Sequence, residues 1–299
     1  MKVKRKGRLK TQDIRQEVQD LRHETGKSGV SSLGSYIMLS LLTIGIAVGS
    51  ALGDIDPASI VGLWLFDEVA GNRVIDSSGN GHDGEIKGAT RVAGKYGKAL
   101  EFGGDDYVLV PDAEDLRIGE QFTMQAWFFA KDIGNWRQII AKSDEYLLRI
   151  DPPQEGNMMS AFVKAGNAWE PRASAFVPKL ETWIHFAATY DSDQLRVYVD
   201  GALSGQSGRP ERIQQTKNPV EFGRWGGFIM GDDIGYFVGI IDDVAIFNVA
   251  LTEDEIRETM DGLQKYRLSV EASGKLAATW GEVKLMSSNF GKVEMVHFP

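Results

Sequence analysis

Apolar and polar positions alternate along much of the chain, most regularly from Thr182 to Leu203, TWIHFAATYDSDQLRVYVDGAL. Ile184, Phe186, Ala188 and Tyr190 interleave with Trp183, His185, Ala187 and Thr189. After a polar turn at Asp191–Gln194, Leu195, Val197 and Val199 interleave with Arg196, Tyr198 and Asp200. A period of two carried by β-branched and aromatic residues predicts two strands of a half-buried sheet. Asp200-Gly201 supplies the positive-φ pair that a tight second turn requires, which makes the unit a β-meander.

The same pattern predicts a first strand over 60–66 and a tight loop over 76–84. It predicts a hairpin of 99–102 with 107–111 around Gly103-Gly104-Asp105, and further strands at 121–129, 138–142, 146–150, 158–163, 172–177, 220–224 and 236–247. Many short strands separated by turn signals indicate an all-β, two-sheet antiparallel sandwich. A helix is expected to follow: Thr252 is a fitting N-cap, and Glu253, Asp254 and Glu255 crowd the first turn, where the helix dipole favours negative charge. Ile256, Met260 and Leu263 form its packing face.

Ahead of the sandwich the pattern changes. Residues 1–32 form a basic, polar tail; the first 27 carry nine Lys/Arg against four Asp/Glu. No charge occurs from Ser28 to Gly53, and residues 33–52 form an apolar stretch long enough to span a bilayer. The long charged region before it suits a signal-anchor helix, whereas Gly49-Ser50-Ala51 suits signal cleavage. Both alternatives keep the basic flank in the cytoplasm and export the rest, as a secreted or a single-pass membrane protein. The exported part at 58–264 is acidic: residues 54–264 carry 19 Lys/Arg against 35 Asp/Glu within a whole-chain net charge of −9. That balance opposes nucleic-acid binding, which draws its affinity from cationic contacts to phosphate. The chain has no cysteine, so it has neither a disulfide framework nor thiolate chemistry. Residues 265–299 are a tail in which 266–272 and 275–285 suggest a terminal hairpin.

Four ordered stretches, GLWLFDEVAGNRVIDSSGNGHDGEI (62–86), GKALEFGGDDYVLVP (97–111), the central hairpin and GIIDDVAIFNVALTEDEI (239–256), resemble laminin-G-like, concanavalin A-type jelly rolls, the group related to pentraxins. The resemblance covers roughly Ile60 to Leu263. It implies a jelly-roll sandwich with a helix after its last strand, a fold that hosts lectins, adhesion modules and glycosidases alike. Calcium at loops near a sheet edge is common in that group. The resemblance therefore suggests Asp76 with Asn80, and Asp242, as Ca²⁺ ligands, with Asp67 a further candidate. The residues themselves leave an alternative open, in which Asp76 makes an Asx-turn and Asp242 accepts backbone N–H groups from a glycine-rich loop.

Catalytic signatures are missing. Gly79–Gly84 reads G-x-G-x-x-G, but it neither follows a strand nor opens a helix, so no nucleotide cofactor is expected. The loop begins like an EF-hand, yet Lys87 stands where a bidentate Glu belongs. No strand offers the alternating carboxylates of a glycosidase, and the four histidines form no triad or zinc motif. Binding remains. Flat rings stack on pyranose faces while guanidinium and amide groups fix hydroxyls, which selects Trp136-Arg137, Trp169 and Arg224-Trp225 in loops and Tyr146 and Arg149 on a strand. The expected partner is a glycan or a cell-surface protein. The alternatives are a protein–protein adhesion module and, further off, a glycan-active enzyme.

Overall fold

The computed structural model describes residues 55–226 and 235–267. Their strands are β1 (Ile60–Trp64), β2 (Arg73–Val74), β3 (Gly84–Lys87), β4 (Thr90–Ala93), β5 (Lys98–Gly103), β6 (Tyr107–Val110), β7 (Phe122–Ala130), β8 (Arg137–Lys142), β9 (Tyr146–Ile150), β10 (Met159–Val163), β11 (Ala173–Ser174), β12 (Trp183–Tyr190), β13 (Gln194–Val199), β14 (Ala202–Gly208), β15 (Val220–Phe222) and β16 (Val238–Phe247), followed by helix α1 (Glu253–Thr259). One antiparallel sheet runs β14-β13-β12-β7-β16-β5-β4, with β1 also on β16; the second runs β11-β10-β9-β8-β15-β6-β3-β2. The membrane-length segment at 33–52 lies outside the described residues. Among those described, no helix is long and apolar enough to cross a membrane.

The meander forms as its pattern dictates. Phe186 pairs with Val199 and Tyr190 with Leu195, the Asp191 carboxylate takes the N–H groups of Asp193 and Gln194, and Asp200 (φ 48°) and Gly201 (φ 74°) make the left-handed turn into β14. Alternate residues of the two sheets meet in one core, where Trp64 packs edge-on against Phe222 with ring centroids 5.0 Å apart. The expected hairpin of 99–102 with 107–111 does not form. β5 pairs with β4 and β16 in the first sheet, while β6 pairs with β3 and β15 in the second. The glycine-rich turn between them carries the chain across the sandwich, because both strands are apolar on one side and each satisfies its backbone in a different layer.

β16 has two partners along one edge. Its first half, Val238–Ile241, pairs with β5, and its second half, Val244–Phe247, pairs with β1. A bulge at Asp242–Asp243 marks the switch, with Asp243 at φ 44°. Because of the extra residue, Ile241 and Val244 both face the inter-sheet core, and Asp242 points outward. Both carboxylates are buried and engaged. Asp242 accepts the N–H of Tyr96 (3.0 Å) in the β4–β5 turn and that of Asp243 (2.8 Å); Asp243 accepts the N–H of Leu263 (3.3 Å) beyond α1. Nearby, Asp67 accepts the N–H of Lys98 (2.9 Å) at the start of β5.

α1 starts as predicted. Thr252 and Glu255 form a capping box in which each side chain takes the other residue's backbone N–H. Ile256 and Leu263 pack with Leu63, Ala187, Tyr198 and Phe247 on the outer face of the first sheet. Met260 is only half-buried, and Thr259 takes the inward position between them, donating to Gln125. Thr252→Ala removes the cap and should cost about 1 kcal/mol of stability, read as a lower denaturation midpoint.

Burial pushes the Asp242 carboxyl up to about 7, and burial together with the Asp242 charge pushes Asp243 up to about 8. The native state then holds protons that the unfolded chain has already released, so stability is greatest in mild acid and falls as pH rises towards and through these values. The thermal midpoint should therefore drop between about pH 5 and pH 8.5, and Asp243→Asn should flatten that slope.

Candidate functional site

On β9 the side chains of Tyr146, Leu148 and Ile150 enter the core, and those of Leu147 and Arg149 stand on the outer face of the second sheet. Register sets their neighbours. Gln138, Arg149, Ser160 and Ser174 lie in one row across β8, β9, β10 and β11; Ala141 and Leu147 are paired across β8 and β9, and Phe162 faces Leu147 from β10. Ala141, Leu147 and Phe162 form a small apolar floor against which Trp169 and Trp225 pack. The two indoles come from loops 56 residues apart in sequence and meet edge to face, 5.8 Å between centroids. Such an aromatic pair adds about 0.5–1.5 kcal/mol beyond the area it buries.

A polar network borders this floor. The Arg149 guanidinium lies 4.3 Å from the Phe162 ring centre, donates to Asp151 (2.7 Å) and Glu155 (2.9 Å), and is joined by Arg172, which pairs with the same two carboxylates. Trp136 Nε1 reaches Glu155 Oε1 (3.4 Å), which brings the third tryptophan to the same network. Ser160 donates to Asp151 (2.6 Å) and shares a hydrogen bond with Ser174 (2.7 Å). Burial raises the Asp151 carboxyl, only partly offset by Ser160 and Arg149. For Glu155 the upward pull of burial is outweighed by Arg172 and Arg149, which hold it low. Two carboxylates held in arginine pairs fix geometry; they do not straddle a free space as an acid–base couple must.

Gln138 is the outlier in this row. It is 1 % exposed, sits in the same row beside Arg149, and neither its amide oxygen nor its amide nitrogen has a hydrogen-bond partner. Leaving both ends of a buried amide unmet is costly, so such groups call for a partner. Sequence reasoning missed it because a glutamine on a strand carries no periodic signal.

The remaining expected binding residues divide. Arg137 is tied to Asp132 and to the Tyr236 carbonyl (2.9 Å), at the side of the network. Arg224 pairs with Glu221 and lies 3.4 Å over the Tyr107 ring, next to Trp225. Tyr146 is corrected: it is wholly buried between the sheets, its hydroxyl on the Leu116 carbonyl, because an odd spacing from Arg149 puts the two on opposite faces. His185 lies on the outer face of the first sheet beside Trp127, and burial drives its imidazole down to about 3.

The residues expected to hold calcium do not form a shared cage. Asp76 spends its carboxylate on the N–H groups of Leu63 (3.0 Å), Ser78 (2.9 Å) and His82 (3.0 Å), and the Ser78 bond closes an Asx-turn. Asn80 donates to the carbonyls of Ile60 and Val61, and Asp242 is held by the β4–β5 turn. Among the described residues no group of three or more His, Asp or Glu side chains is placed to hold a metal ion.

Solved structures share this fold. Domain 4 of AbnA, an extracellular arabinanase from Geobacillus stearothermophilus solved with arabinotriose, is 20% identical over 67% of this chain and 97% of its own, with a TM-score of 0.52. The binding domain of Paraclostridial Mosquitocidal Protein 1 is 15% identical over 68% of this chain, TM-score 0.56, and the ligand-binding domain of botulinum neurotoxin serotype D, solved with N-acetylneuraminic acid, is 16% identical over 69%, TM-score 0.54. The chain spans about half of each of these two toxin domains (52%). No curated protein matches by sequence. The family model described as the concanavalin A-like lectin/glucanase superfamily matches residues 102–257, more than half of the sequence and every strand from β6 to β16, and the chain belongs to that superfamily.

Proposed function

We propose that this chain is a non-catalytic recognition module, exported and held at the membrane by residues 33–52, that binds a glycan on the outer face of its second sheet. The observation that carries the reading is the gathering of the half-buried Trp136, Trp169 and Trp225 on the face that bears Arg149, with the buried, unpartnered Gln138 amide in the same row. Half-buried indoles suit the apolar face of a sugar ring, and the Gln138 amide, with a donor and an acceptor to spare, meets adjacent hydroxyls where its cover moves aside. The arginines are already neutralised by Asp151 and Glu155, which favours an uncharged or weakly charged saccharide. Relatives of the same fold solved with arabinotriose and with N-acetylneuraminic acid support the ligand class. Calcium has no part in ligand binding in this reading, because the Asp76 carboxylate and the Asn80 amide are already engaged by backbone groups. Protein adhesion is the second reading, supported by the exposed Phe176, Val177 and Leu180 beyond β11 and Leu203 on the edge strand β14.

The face is pre-set by Arg209. Its buried guanidinium donates to the carbonyls of Val163 (3.1 Å), Ala165 (3.0 Å), Ala168 (2.7 Å) and Glu170 (2.6 Å), clamping the loop on both sides of Trp169. Arg209→Lys keeps the charge but loses the planar fork, so amide exchange at 163–170 should quicken and glycan affinity fall.

A glycan array with the exported domain should return oligosaccharide ligands. Gln138→Met should leave stability unchanged or higher, since the amide it removes is unmet, yet weaken binding about tenfold or more (~1.4 kcal/mol). An array without hits, or wild-type affinity in Gln138→Met, would overturn the reading.

A further inference from the structure

At one end of the sandwich a lysine stands inside a shell of oxygens. Lys142, the last residue of β8, is wholly buried, and so is Glu145 in the β8–β9 turn. The Lys142 ammonium lies 2.8 Å from Glu145 Oε1 and 3.1 Å from Asp112 Oδ1, and it donates to the carbonyl oxygens of Asn218 (2.7 Å) and Thr216 (3.1 Å). The oxygens come from three segments: the chain after β6, the β8–β9 turn and the run into β15. An ammonium has three protons to give, and here four oxygens surround it. A fifth, Glu145 Oε2, is buried with no partner at all. Arg117 also donates to Asp112, and Thr216 gives its N–H and its hydroxyl (2.9 Å) to Glu145 Oε1, so only Glu145 Oε2 is left over; all five are hard oxygen donors. They match the donor set of a hard divalent cation, which takes six to eight oxygens, water included.

We propose that this shell is a cation site filled from within, the Lys142 ammonium doing the structural work that a calcium ion would otherwise do, and that removing the ammonium exposes a Ca²⁺ site. The inference is independent of which ligand the outer face binds. It accounts for how three loop segments are tied together although the expected Asp76, Asn80 and Asp242 set forms no cage. The oxygens would need to close in by roughly half an ångström from their present spacing to reach Ca²⁺–O distances of 2.3–2.6 Å. Thr216 and Asn218 lie on the segment preceding β15 and are tied to the β8–β9 turn through Ser143 and Glu145, so such a shift would draw the two segments in together.

The test compares the full chain with Lys142→Ala, which frees space, and Lys142→Met, which fills it without charge. Titration calorimetry should find one more Ca²⁺ bound by Lys142→Ala than by the wild type or by Lys142→Met. Saturating Ca²⁺, about 100-fold above Kd, should raise the thermal midpoint of Lys142→Ala by roughly 5–10 °C relative to chelator and relative to any wild-type shift. Mg²⁺ should do much less, because it demands a small octahedral shell. Equal Ca²⁺ stoichiometry in all three proteins overturns the proposal. So does equal Ca²⁺ response in the two variants, or a Lys142→Ala chain that stays unfolded with Ca²⁺ as it does without.

Discussion

The sandwich depends on how β16 handles two partners on one edge. A strand that pairs first with β5 and then with β1 leaves a gap in the ladder, and backbone groups in a gap must find other partners. Asp242 and Asp243 fill it. One extra residue turns the strand, Asp243 takes the left-handed conformation that a β-branched residue there would resist, and the two carboxylates reach out to the β4–β5 turn and to the chain leaving α1. The acidity of both groups is suppressed by the burial this role requires. A pair of adjacent aspartates thus joins the first sheet, its outer helix and the turn that begins β5.

The outer faces of the two sheets have different tasks. On the first, α1 and the segment after it cover Leu63, Ala187 and Phe247, and the face is finished as a second, smaller core. On the second, the apolar floor is small, three tryptophans and two arginines border it, and a buried amide is left unmet. Buried polar groups without a partner also occur on the first face, at His185 and Trp127, so what sets the second apart is the gathering of half-buried tryptophans beside paired arginines. The superfamily architecture permits either binding or hydrolysis at such a face; arginine pairing of Asp151 and Glu155 favours binding.

Much of the candidate site was readable in outline. Trp136, Trp169 and Trp225 stand out as aromatic residues in or beside loops and Arg149 as a cation on a strand, and the fold gathers them on one face. Gln138 was invisible because its interest lies in what surrounds it. Tyr146 was misplaced by a count of three residues along β9, where only even steps keep a face. The oxygen shell around Lys142 was equally hidden, since Asp112, Glu145, Thr216 and Asn218 have no common spacing in the sequence.

By itself the sequence determined the features that rest on neighbours a few residues apart: the alternation that makes β7, β9, β12 and β13, the Asp200-Gly201 turn, the capping box at Thr252 and Glu255, and the acidic surface. Tertiary structure alone decided which strands share a layer, where bulges reverse the faces, and which loops meet. The reason is physical. Strand propensity and turn geometry are properties of the local chain, whereas sending β5 and β6 to different sheets, or inserting Asp243 into a ladder, depends on partners that lie up to about 140 residues away.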